Sequence, residues 1–180
     1  MNVTSRTIRV PAATVAGLVA ILSLLAMPVA HAATTTTFTV ASGGLAISAP
    51  ASVNLGSASA PGSISAALGQ VKVDDTRGAL LGSYSASVSS SDFTTGGATA
   101  AETIAASSVA YTGGVVTPAG TVVCASPLAN AALSATPQAA MNATGATGTN
   151  SCTWNPAMTV TLPAAAVAGT YTGTITHSVA

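Results

Sequence analysis

The sequence predicts an all-β chain: an antiparallel β-sandwich of the Ig-like or Greek-key type that follows an N-terminal signal-peptide helix. Three observations predict it. Short segments alternate apolar and small polar residues with a period of two, which places one side of each on a core and the other in solvent. Clusters of Gly, Pro, Ser and Asn separate these segments at close spacing, as antiparallel sandwiches require. Thr and Val are abundant, and both suit a pleated, half-buried surface.

Composition narrows the function classes. Of 180 residues, 49% are hydrophobic, 3% aromatic and only 4% charged, with zero formal net charge. Globular chains carry roughly 25% charged residues. No Lys or Arg cluster exists to neutralise phosphates, which excludes a basic nucleic-acid binder. Disordered polyelectrolytes are charge-rich and poor in β-branched residues, unlike this chain. Few ionisable side chains remain for an ordinary polar active site.

The elements follow in order. Met1–Val10 carries Arg6 and Arg9 and no acid, Pro11–Met27 is apolar, and Ala30-His31-Ala32 forms a small-x-small site. Together they predict a cleaved secretory signal peptide over residues 1–32. Pro28 and the A-x-A site favour cleavage over an uncleaved anchor. Residues 33–180 are then a single β-sandwich domain. Its charges are Lys72 and Arg77 against Asp74, Asp75, Asp92 and Glu102, and its one histidine is His177. The sequence shows no second hydrophobic stretch and no covalent wall-sorting signal, so the expectation is release or non-covalent retention at the surface.

Phe38 and Val40, Leu45 and Ile47, Val53 and Leu55, Val71 and Val73, Tyr84 with Ala86 and Val88, and Met158 with Val160 and Leu162 each mark an alternating strand. The last strand is the clearest: Thr170 to Ser178 on one side, Tyr171 to Val179 on the other. Tyr171 resembles the tyrosine of a sandwich corner, although a half-buried strand aromatic is the simpler expectation. Ala129–Thr149 is rich in Ala, Ser, Thr, Gly and Asn, and Pro137 lies inside it. Its composition permits a short helix near Asn130–Met141, but the apolar stripe is weak. The segment is expected to be a long surface loop.

Export implies an oxidising compartment, so Cys124 and Cys152 are expected to form one disulfide that pins the loop 125–151. Two Cys and one His without C-x-x-C spacing are too few for a metal site. A nucleophilic Cys would have only His177 as its base.

Asp74-Asp75-Thr76-Arg77-Gly78 concentrates charge. It reads chiefly as a structural turn of Asp75, Thr76 and Gly78, with Arg77 paired to an acid. The functional alternative has Arg77 gripping a phosphate or carboxylate of a wall polymer. Asp74 and Asp75 point to opposite faces, so they make a poor glycosidase pair. By parity His177 lies on the apolar side of its strand, where hydrogen-bonded structure is commoner than catalysis. No G-x-S-x-G elbow accompanies it. Trp154 is the only Trp; packing beside the disulfide is favoured over a platform for a sugar ring. Asn142-Ala143-Thr144 fits a glycosylation pattern.

A family resemblance spans nearly all of residues 33–180. Gly44-Leu45-Ala46-Ile47-Ser48-Ala49-Pro50 leads toward Val53-Asn54-Leu55-Gly56. Val73-Asp74-Asp75-Thr76-Arg77-Gly78 and Ser89-Ser90-Ser91-Asp92-Phe93-Thr94 follow. Leu162-Pro163-Ala164 and Ala168-Gly169-Thr170-Tyr171-Thr172-Gly173-Thr174-Ile175-Thr176 come last. In that order they resemble the WxL-domain surface proteins of Gram-positive bacteria, especially actinobacterial relatives. The resemblance implies an exported β-rich domain held non-covalently on the cell wall through peptidoglycan. The two Trp-x-Leu positions read Tyr84-Ser85-Ala86 and His177-Ser178-Val179 here, which makes Tyr84 and His177 candidate ligand residues beside Arg77 and Trp154.

The expected function is that of a non-catalytic cell-surface protein, without cofactor or metal, whose partner is a cell-wall polymer or another surface protein. No nucleic-acid partner is expected, and no membrane span after cleavage. The alternative is a structural surface subunit that assembles through strand-edge pairing, since almost no Lys guards the edges. A hydrolase built on His177 is the remaining class.

Overall fold

A computed structural model describes residues 35–180, so the leader proposed over 1–32 lies outside the described residues. Val40–Ala180 is one structural unit. Its strands are β1 (Leu45–Ser48), β2 (Gly62–Ala67), β3 (Val71–Asp75), β4 (Gly82–Ser90), β5 (Phe93–Thr94) and β6 (Thr103–Ile104). They continue as β7 (Val109–Thr112), β8 (Val116–Ala125), β9 (Ala131–Ala132), β10 (Gln138–Trp154), β11 (Ala157–Leu162) and β12 (Ile175–Val179). Every strand pair is antiparallel. Helical structure among the described residues is limited to two single turns of 3₁₀-helix. The chain is an all-β antiparallel sandwich, as the alternation predicts.

A six-stranded sheet runs β1-β3-β10-β4-β12, with β8 also on β10. A four-stranded sheet runs β2-β11-β7-β9. One edge of β10 is shared by two strands: Gln138–Ala146 pairs with β4, and Asn150–Trp154 with β3. The opposite edge pairs with β8 over Asn142–Trp154. Since β1 also approaches β12, the large sheet nearly closes on itself.

Two cores result. Inside the curled sheet lie Val71, Val73, Tyr84, Ala86, Met141, Ala143, Ala146, Cys152 and Trp154. Between the sheets lie Leu68, Val88, Phe93, Ile104, Val109, Tyr111, Leu133, Ala140, Met158 and Val160. β3 and β4 alternate inward and outward residues, the inward ones apolar except Asp75 and Ser90.

The expected surface loop over 125–151 is corrected: Gln138–Trp154 is the longest strand of the fold and borders three others. Its inward positions hold small Ala140, Ala143 and Ala146 beside large Met141 and Trp154, and burial replaces intrinsic β propensity. Gly145 and Gly148 take positive φ, +64° and +67°, and the register shifts around them. These bulges let one strand turn from β4 to β3. Across the ribbon Gly120 has φ +81°, and a Cβ there would lie 2.8 Å from the Thr149 carbonyl oxygen.

The disulfide Cys124–Cys152 therefore pins no loop. Cys124 pairs across the ladder with Ala143, whereas Cys152 lies opposite Pro118, so the bridge ties distant parts of the bent ribbon. Its Cα atoms are 6.1 Å apart.

Other expectations are corrected too. No strand forms at Phe38–Val40, and Phe38 is exposed. None forms at Val53–Leu55, where Asn54 Oδ1 accepts the Gly56 N–H in a local turn. The last strand begins at Ile175, because the preceding residues bond elsewhere: Thr172 bridges Thr94, and Thr174 N–H donates to Ser91 Oγ. The single hydroxyl hydrogen of Tyr171 is shared between the Val167 and Ala101 carbonyls, at 3.0 and 3.1 Å, so the side chain bonds back to the backbone as a corner tyrosine does. No helix among the described residues is long and apolar enough to cross a membrane.

The bridge spans 28 residues of sequence, for which chain-entropy reasoning gives about 3.6 kcal/mol of stabilisation. A Cys124→Ala/Cys152→Ala variant is expected to lose close to that amount in urea unfolding; a loss under about 1 kcal/mol would show that the sheet holds its curl unaided.

Candidate functional site

Period two places Val71, Val73 and Asp75 inside and Lys72 and Asp74 outside. Lys72 and Asp74 form an exposed ion pair, 2.6 Å apart. Asp75 is fully buried. Such a carboxylate must be paired or take up a proton. Arg77 supplies the pairing: Nε donates to Oδ1 at 2.9 Å, Nη2 to Oδ2 at 3.0 Å, and its backbone N–H to Oδ1 at 3.0 Å. These hydrogen bonds, the side-chain ones foremost, hold the Asp75 carboxyl below its usual range despite burial. They likewise raise the Arg77 guanidinium.

The remaining Arg77 contacts are internal. Nη2 reaches the Ser83 carbonyl at 3.2 Å, and the guanidinium carbon lies 5.7 Å from the Tyr84 ring centroid. Tyr84 is buried and donates its hydroxyl to Asn150 Oδ1 at 3.0 Å, beside Cys152 Sγ at 3.1 Å. Asn150 Nδ2 donates to the Gly148 carbonyl at 3.2 Å and approaches Asp75 Oδ2 at 3.4 Å. Burial raises the Tyr84 phenol, and the Asp75 charge adds to it. Asp75 is the last residue of β3, and the chain bends at Arg77. Thr76 Oγ1 accepts the Gly44 N–H, and Gly78 sits at φ +68°.

Trp154 and His177 meet elsewhere, through Tyr111. Trp154 Nε1–H donates to the Tyr111 hydroxyl at 3.0 Å, and that oxygen is 3.1 Å from His177 Nε2. The His177 ring lies 5.9 Å from that of Tyr111 and 6.4 Å from that of Trp154, centroid to centroid. Burial pushes the Tyr111 phenol up to about 12 and lowers the imidazole. Trp154 is buried, so the packing role holds and no face is open for a sugar ring. His177 borders an open cavity of about 190 Å³ beside Pro50–Leu55 and β12.

The four candidate residues thus form two pairs, Arg77 with Tyr84 and Trp154 with His177. Tyr84 and His177 both lie on the inward side of their strands. Asn150 and Tyr111 complete the pairs and were not singled out from sequence. Parity with Cys152 and Trp154 signals the first, and the Val109-Ala110-Tyr111-Thr112 alternation signals the second. Among the described residues, no group of three or more His, Cys, Asp or Glu is placed to hold a metal ion.

On the outer face of β10-β4-β12, short polar side chains form a continuous patch. Ser85 Oγ donates to Asn142 Oδ1 at 2.9 Å, and Ser87 and Ser178 share a hydrogen bond of 2.8 Å. Ser89 lies opposite Thr176 in the same register. A shallow groove lined by Ser83, Ser85, Asn142, Thr144 and Ala180 continues it. Comparison with known proteins finds no family model, curated protein or solved structure that matches this chain.

Arg77→Ala strands the buried Asp75 charge and is expected to cost about 3 kcal/mol in denaturant unfolding. Adding Asp75→Asn should recover part of that loss, and a double variant weaker than the single one would contradict the pairing account. The lowered His177 pKa sets a pH window. Below the usual histidine value of 6.5, the unfolded chain binds a proton that the folded chain refuses. Stability is therefore full above that pH and declines as pH falls toward the lower folded value. The decline should flatten in His177→Gln, as read from unfolding midpoints between neutral and mildly acidic pH.

Proposed function

We propose that this is an exported, non-catalytic cell-surface protein that associates non-covalently with the glycan of the cell wall. The observation that carries the reading is the uncharged hydroxyl and amide patch of Ser85, Ser87, Ser89, Asn142, Thr176 and Ser178 on one sheet face. Such groups donate and accept hydrogen bonds to sugar hydroxyls without a buried charge to desolvate. The leader-like residues 1–32 and the resemblance of the later elements to WxL-domain proteins support a surface location. Replacement of Trp by Tyr84 and His177 bears on packing, since both side chains face inward, and leaves the outer face free to bind. Arg77 and Trp154 are engaged within the fold and serve as supports.

A second reading rests on β8. This ten-residue strand pairs only with β10 among the described residues. Its flank is uncharged, and Val115 and Val123 are exposed. Such an edge can add a strand from a surface partner or a second copy.

Purified cell walls should retain the protein in a sedimentation assay across low and moderate salt. Ser87→Glu/Ser178→Glu, which places like charges on the patch, should lower retention at least tenfold. Recovery entirely in the supernatant at every salt concentration would reject wall association. Concentration-dependent oligomers in size exclusion, without wall retention, would favour the β8 reading.

A further inference from the structure

The Trp154–Tyr111–His177 chain determines which imidazole nitrogen carries the proton. Indole Nε1–H is a donor only, so the Tyr111 oxygen accepts there. Among the described residues the hydroxyl has one other partner, His177 Nε2. Were Nε2 the donor, the buried hydroxyl hydrogen would have nowhere to go, and an unmet buried donor costs about 1–3 kcal/mol. Tyr111 therefore donates to Nε2, and the proton of the neutral ring sits on Nδ1.

That N–H has no acceptor among the described residues. Nor is it sealed: the one sealed side-chain polar atom without a partner among the described residues is Ser126 Oγ. His177 lines the 190 Å³ cavity, whose other walls mix apolar Leu55, Phe93, Met158 and Ile175 with polar Ser52 and Thr174. Its rim, Pro50 to Val53, is exposed. An engineered apolar cavity of about 150 Å³ admits benzene, so this one has room for a small group.

From this geometry we infer that the cavity binds an acetamido group, with His177 Nδ1–H donating to the amide oxygen and the methyl resting on the apolar wall. The aliphatic and Phe93 surfaces favour the methyl, and the unpaired N–H of a histidine that lines the cavity calls for an acceptor beside it. A plain sugar hydroxyl has no apolar body to fill the space; a hydrocarbon leaves the N–H unpaired. The inference rests on the glycan reading and names the sugar substituent that would anchor it.

Nitrogen-15 NMR of the full chain at neutral pH reads the tautomer directly, and the Nδ1–H form is expected. Titration with N-acetylglucosamine and with N-methylacetamide should shift the Met158 and Ile175 methyl signals saturably, whereas glucose should leave them unmoved. Ser52→Trp, an exposed rim change that blocks the entrance, should abolish the shifts while the spectrum stays folded. An Nε2–H tautomer, equal shifts from glucose, or silence with N-methylacetamide would each overturn the proposal. Response to N-methylacetamide but not to N-acetylglucosamine would overturn the sugar assignment. Wall retention with a silent cavity would leave the glycan reading standing and this one refuted.

Discussion

The bend of β10 is the constraint on which the rest of the structure depends. One strand serves β4 along its first half and β3 along its second, so the sheet must curl between Ala143 and Asn150. Glycines at positive φ permit the curl, and β8 follows it only because Gly120 lets the backbones approach. Closing the curl creates an interior, which Trp154 and Tyr84 fill and the disulfide spans. Flatten the strand, and both candidate pairs come apart, since Asn150, Cys152 and Trp154 all lie beyond the bend.

A chain this poor in charge commits a buried carboxylate, Asp75, and a partly exposed guanidinium, Arg77, to one pair. Asp75 and Arg77 form a bidentate pair roofed by Tyr84 and Asn150, in which both carboxylate oxygens of Asp75 accept hydrogen bonds. Replacing a buried pair by apolar residues is often neutral for stability, so specificity is the better account of such a network. It fixes where β3 ends, how the turn to β4 leaves, and which face of β10 looks inward. The aromatic chain through Tyr111 acts similarly between the cores, joining β7, β10 and β12 by directional bonds rather than by packing alone.

With those groups turned inward, the exterior of β10-β4-β12 is left to hydroxyls and amides. Such a face is soluble without being charged, and suits neutral, hydroxyl-bearing partners better than ionic ones. Among the described residues, the edge of β8 and the cavity at His177 are open as well, the first a strand edge and the second a cavity of mixed lining.

Alternation alone was enough to place β1, β3, β4 and β11, to send Asp75 and Asp74 to opposite faces, and to put His177 on the inner side of its strand. Those properties follow from a period of two, which is local. The oxidising route implied by the leader-like segment was enough to pair the two cysteines. Only the tertiary structure decided that 138–154 is a central strand, because Ala, Gly, Ser and Thr carry little preference of their own and gain one only when neighbours bury them. It also decided the partners of each candidate residue. Arg77 meets Tyr84, and Trp154 meets His177 through Tyr111, across sequence separations that no local pattern spans; strand order and the curl of the sheet set those meetings.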